Sequence, residues 1–181
     1  MSFFILKVSK FYIKKCYHLK MVKKSKYLST LTNVNSVEEA LENALKLLEN
    51  FNIKNYHYSP NEAVEELGLD LEIVEQLVQD YVIQIMNASS AFVKHHDVLQ
   101  NSQENGDTLK YDLLRDLAHK NLGVARNLRI KDAEKLLKII MNVDDLDYVL
   151  KALEALVACA IKLKPKAAYD TLVLIKIKTT F

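Results

Sequence analysis

The sequence predicts an all-α protein whose body is an antiparallel up-down four-helix bundle, with short N-terminal helices and a loosely ordered N-terminal arm. Three observations carry this prediction. Apolar residues recur at helical spacing between Ser36 and Leu163. Helix-start residues stand just ahead of the periodic segments. The chain has 3 Gly and 2 Pro in 181 residues, too few turn residues for a sandwich or barrel. An apolar fraction of 50% and a charged fraction of 27% are those of a globular protein, and the length suits one domain with an extension.

Residues 1–35 form a basic arm. Residues 1–26 hold eight lysines and no acid, and the first acid is Glu38. Aromatic, β-branched and lysine residues are mixed there without clean helical spacing. Three readings stand side by side: a disordered or membrane-surface arm, a short element docked on the body, or residues ahead of an internal start at Met21. The favoured expectation is a poorly ordered segment.

A helical domain is expected over 36–164, with its core bundle at about 70–163. Ser36-Val37-Glu38-Glu39 is a capping box opening the first helix, whose apolar stripe includes Ala40, Leu41, Ala44 and Leu48. Ser59-Pro60-Asn61-Glu62 reads as a second box with proline at the first helical position, and Gly68 as its stop. Asp70 is expected to cap a long helix from Leu71 to about Gln100, followed by a polar loop, Asn101–Gly106. Asp107 is expected to cap the next helix, running to about Leu128. A shorter helix covers Lys131–Met141. Asp144 is expected to cap the last long helix, which Pro165 stops near Leu163. Residues 165–181 form a C-terminal tail, read as β-like or as a further helical turn.

Net charge is +2, which gives no global argument for nucleic acid. No run reaches the roughly 18 apolar residues of a spanning helix, and Lys7 interrupts the only stretch resembling a signal peptide core. A cytoplasmic monomer without stable membrane insertion is expected. Cys16 and Cys159 do not make a disulfide framework, and Cys159 reads as a core residue.

The helix containing His119 carries the functional signal. Gly123 stands four residues after His119, where a glycine costs about 1 kcal/mol relative to alanine. Positions i and i+4 share a face, so the glycine clears space beside the imidazole. On a helical wheel, Arg115, Leu122, Gly123 and Arg126 share the His119 face, with Asp112 and Asp116 at its flank. Leu114, Leu117, Val124, Ala125 and Leu128 fall opposite and form the core side. His119 should therefore point outward. Asn121 falls on the core side, which requires either a polar partner on another helix or a rotated helix, and rotation would change the exposure of Leu122.

The segment His119-Lys120-Asn121-Leu122-Gly123-Val124-Ala125-Arg126-Asn127-Leu128 resembles the histidine-containing phosphotransfer (HPt) domain family, whose motif is roughly His-x-Leu-Lys-Gly-x-Ala-x-x-Leu-Gly. His119, Gly123, Ala125 and Leu128 match. Ala118, the acidic stretch Asn105-Gly106-Asp107, Leu69-Asp70-Leu71-Glu72 and Tyr81-Val82-Ile83-Gln84 also fit, and the resemblance covers about residues 60–163. Asn121, Leu122 and Arg129 replace the family's leucine, lysine and final glycine. The resemblance implies a phosphocarrier of a bacterial-type two-component phosphorelay, accepting and donating a phosphoryl group on His119. It would have no cofactor, no metal, no ATP-binding region and no independent catalytic activity. Its partners would be a response-regulator receiver domain or a hybrid histidine kinase. Arg115, Lys120 and Arg126 would substitute for the missing lysine as phosphate-stabilising cations, with Leu122 and Gly123 at the docking surface. The alternative is an adaptor that docks such a partner without phosphotransfer. A third reading, a lipid- or nucleic-acid-associated protein, rests on the lysine arm alone.

Other candidates are weaker. His95-His96-Asp97 and Asp116-x-x-His119 make no recognised metal-ligand set, and His95 and His96 read as solvated residues at a helix end. No phosphate loop or nucleophile elbow is present.

Overall fold

The structure, a computed structural model, describes residues 33–51, 53 and 57–179. Among them all regular structure is helical: α1 (Val37–Leu48), a 3-10 turn (Glu49–Phe51), α2 (Asn61–Leu67), α3 (Leu71–Asn105), α4 (Asp112–Asn127), α5 (Lys131–Asn142), α6 (Leu146–Leu163) and α7 (Pro165–Thr179). No helix among the described residues is long and apolar enough to cross a membrane.

The first box forms as expected at α1. The Ser36 hydroxyl accepts from the Glu39 amide at 3.2 Å, and Glu39 reaches back to the Asn35 amide at 2.8 Å. The second does not close. Asn61 is the first residue of α2, behind a helical Pro60, and Glu62 instead takes Lys131 at 2.8 Å. Gly68 ends α2 in the left-handed conformation, φ 62°.

α3 is longer than expected. Asn101–Asn105, expected as a loop, continue the helix until Gly106 stops it at φ 74°. Those residues are polar, but none of them breaks a helix. The extension puts His96 inside the helix rather than at its end. With Phe92 and Leu99 it lies on the buried side, and Nε2 sits 2.9 Å from the Leu146 carbonyl. His96 is therefore a core residue, contrary to the sequence expectation.

Two further starts move. Asp107 does not cap α4, which begins at Asp112 behind Tyr111 without a side-chain cap. Asp145, not Asp144, caps α6 by accepting from the Tyr148 amide at 2.9 Å. Pro165 does not merely stop α6: it opens α7, where a missing amide hydrogen is tolerated. The expected tail is thus a 15-residue helix packed on α1, α3 and α6.

α6 lies at the centre. Ala152 through Ile161 are buried without interruption, as in a helix surrounded by others. It contacts α1, α3, α5 and α7. Lys164, just past its end, pairs with Glu75, whereas its start reaches His96, so α3 and α6 run in opposite senses. α3 packs on α4, α4 on α5, α5 on α6, and α6 again on α3. Cys159 is buried in this core, which raises its thiol above the usual range.

Residues 1–32 of the expected arm lie outside the described residues. The last part of that arm belongs to the body. Val34 is buried, its carbonyl accepts from Lys176 at 3.3 Å, and the Asn35 carbonyl accepts from Tyr169 at 2.8 Å.

Candidate functional site

α4 is fixed at both ends. At its start the Tyr111 hydroxyl donates to the Asp144 carbonyl at 2.6 Å, and the Arg115 guanidinium lies 4.7 Å from the Tyr111 ring centroid. Arg115 Nη2 also donates to Asp144 Oδ1 at 2.5 Å. At its end Ile130 N bonds Ala125 O at 2.9 Å, while Arg129 takes φ 58°, a conformation that favours glycine. The Tyr58 hydroxyl donates to the Leu128 carbonyl at 2.9 Å, satisfying one end carbonyl.

Between these ends, Leu114, Ala118, Asn121, Leu122 and Ala125 are buried. Leu117 and Val124, expected on the core side, are only partly buried. The buried side is therefore rotated from the sequence wheel towards Leu122. Both consequences considered for Asn121 occur together. Its amide is 1% exposed, donates to the Leu117 carbonyl at 2.8 Å and accepts from Gln84 of α3 at 2.8 Å. Leu122 is 3% exposed, so it supports the core and offers no docking surface.

His119 is exposed, as its phase requires. Gly123, one turn on, is also exposed, and a Cβ built there meets no atom within 4 Å. Asp116, Lys120 and Asn127 extend the same outer side, and Leu113 at its start is 65% exposed.

The expected cations divide. Arg115 is partly buried and held by Asp144, with its Nε buried and lacking a hydrogen-bond partner. Arg126 is exposed, but its Nε donates to Glu134 at 3.2 Å, and Lys138 reaches the same carboxylate at 2.6 Å. These contacts, the Lys138 hydrogen bond foremost, hold the Glu134 carboxyl below its usual range, so it stays a charged partner at neutral pH. Lys120 is exposed and forms no ion pair or hydrogen bond with a described residue. The structure thus brings His119, Lys120 and Gly123 onto one open surface, ties Arg115 and Arg126 to carboxylates, and removes Leu122. Among the described residues, no group of three or more His, Cys, Asp or Glu side chains is placed to hold a metal ion.

The Arg115–Tyr111–Asp144 contact was missed because its partners lie 29 and 33 residues apart and answer to no local spacing. The buried role of His96 had a signal: Phe92, His96 and Leu99 follow the helical period. Compared with protein-family models, curated proteins and solved structures, the chain matches none.

Proposed function

We propose that the chain is a phosphocarrier and that His119 accepts a phosphoryl group from an aspartyl phosphate or phosphohistidine of a signalling partner and passes it on. The observation that carries this reading is the exposed imidazole of His119 beside the open surface at Gly123. The lone pair of one ring nitrogen forms an N–P bond as the partner's bond to phosphorus breaks, and the electron pair leaves on the partner's carboxylate or imidazole. Such an attack needs the phosphorylated residue of a folded partner to reach the imidazole, and a side chain at position 123 would obstruct that approach. Lys120 supplies a nearby cation for the phosphoryl oxygens.

Two features support the resemblance to HPt domains. The contacts of α3, α4, α5 and α6 close on themselves, as in a four-helix bundle. Arg129 stands where the family carries glycine, and its backbone has the left-handed conformation that glycine suits.

A second reading is favoured by one observation. Both arginines beside His119 are already bonded to carboxylates, as suits an adaptor that docks a receiver domain or kinase without phosphotransfer.

Incubation with a phosphorylated receiver domain from the same organism separates the two. Transfer to the wild type and none to His119→Gln supports the carrier. Binding without transfer assigns the adaptor, and equal labelling of both proteins excludes His119. Lys120→Ala should slow transfer about tenfold, which corresponds to about 1.4 kcal/mol of lost transition-state stabilisation.

A further inference from the structure

Away from His119, a cavity of about 300 Å³ opens between the segment before α2, the start of α3, the start of α5 and the end of α6. Its apolar wall includes Ile130 and Leu163, and its polar wall includes Glu75, Asp132, Lys162 and Lys164.

The polar groups differ in what they already bind. The Lys164 ammonium pairs with Glu75. Lys162 donates to the Ile53 carbonyl at 3.3 Å. Asp132, by contrast, forms no hydrogen bond or ion pair with any described residue, although it is half-buried. A carboxylate withdrawn from water without a donor is destabilised, and a donor entering the cavity would relieve it. Burial pushes the Asp132 carboxyl up to about 6, against the opposing pull of Lys162 and Lys135, so it still presents a negative charge at neutral pH.

Asp132 lies in the first turn of α5, where an acid complements the helix dipole. That accounts for an acid in this turn but not for its facing a cavity. The lack of a three-ligand cluster among the described residues points to an organic cation rather than a metal. At about 300 Å³ the cavity is at the small end for ligand sites and has room for a small organic cation.

We propose that this cavity binds a small primary ammonium compound, with its N–H groups on the Asp132 carboxylate and its carbon chain against Ile130 and Leu163. The site is separate from the proposed phosphocarrier surface and does not depend on that reading.

The test is amide NMR of the full chain titrated with n-butylamine hydrochloride, with sodium butyrate and n-butanol as controls. Butylammonium should give saturable shifts centred on Ile130, Asp132 and Leu163. Butanol should bind at least tenfold more weakly, and Asp132→Asn should weaken butylammonium binding by at least tenfold. An absence of shifts with butylammonium overturns the proposal. Equal shifts in Asp132→Asn overturn it too, leaving Asp132 a helix-end role. Equal or stronger binding of butyrate reassigns the cavity to anions.

Discussion

The register of α4 decides whether His119 faces outward, and Asn121 is the residue that tests that register. In Asn121→Ala, two hydrogen bonds of 2.8 Å disappear. A net hydrogen bond contributes about 0.5–1.5 kcal/mol. Gln84 is exposed and rehydrates once its partner is gone, so that bond counts at the lower end, about 0.5 kcal/mol. The bond to the Leu117 carbonyl lies inside the helix and adds a similar amount. Truncating a side chain that is 1% exposed also leaves a void of roughly 40 Å³, which at about 24 cal/mol per Å³ costs about 1 kcal/mol. The sum is about 2 kcal/mol. Urea unfolding should show the midpoint falling by about 1 M for a slope of about 2 kcal/mol/M. Gln84→Ala leaves the Oδ1 of buried Asn121 without its donor and should cost about 1–3 kcal/mol, and the double variant should be less destabilised than the sum by at least about 0.5 kcal/mol. A loss below about 0.5 kcal/mol in Asn121→Ala, without coupling to Gln84, would mean that Asn121 is at the surface. The outward position of His119 would fall with it.

Three further perturbations address the end of α4, Gly123 and Asp132. Arg129→Gly should be at least as stable as the wild type. It removes about 1–2 kcal/mol of left-handed strain at φ 58°, against which the surface ion pair with Glu66 counts little, whereas Arg129→Val should be less stable; equal thermal midpoints for Gly and Val would contradict this. Gly123→Ala should stabilise α4 by up to about 1 kcal/mol because the added Cβ meets open space, while Gly123→Leu should fold yet lose partner binding in a pull-down. Finally, the Asp132 carboxyl is raised by burial from 3.8 to about 6, with Lys162 and Lys135 opposing. The folded protein then keeps a proton that the unfolded chain has lost, so this contribution is full below about pH 4 and is lost as pH rises to about 6. Neighbouring Cys159, raised by burial, stays protonated throughout. The stability of Asp132→Asn relative to wild type should therefore grow across that window. It should reach roughly 1 kcal/mol, since a shift of about two units is discounted by solvent screening of a half-exposed group. A flat difference would refute the assignment.

Much of the helical pattern is written in local signals. Ser36, Gly68 and Gly106 act through their own backbone neighbourhoods, and the first closes its cap while the other two take the left-handed conformation at helix ends. Where the sequence misleads, the cause is composition or distance. Asn101–Asn105 are polar but compatible with a helix, so polarity alone misplaces the end of α3 and leaves His96 apparently solvated. Asp144 and Asp145 are equivalent as caps until Arg115, 29 residues away, engages the first and leaves the second for α6. The wheel of α4 turns for a similar reason. Asn121 counts as a polar exception until Gln84 satisfies it, and then the buried side swings towards Leu122. His119 and Gly123 stay exposed through that correction, whereas the roles expected of Arg115 and Arg126 depend on carboxylates that local spacing does not reveal.

Whether His119 is the phosphoryl acceptor is decided by locating the phosphate. After transfer from a phosphorylated receiver domain, the protein would be digested and analysed by mass spectrometry at alkaline pH, which preserves phosphohistidine. An acid-labile phosphoryl group is expected on the α4 peptide at His119 and none at His96, which the core encloses. Phosphate on another residue, or none on His119 despite stable binding of the donor, would contradict it.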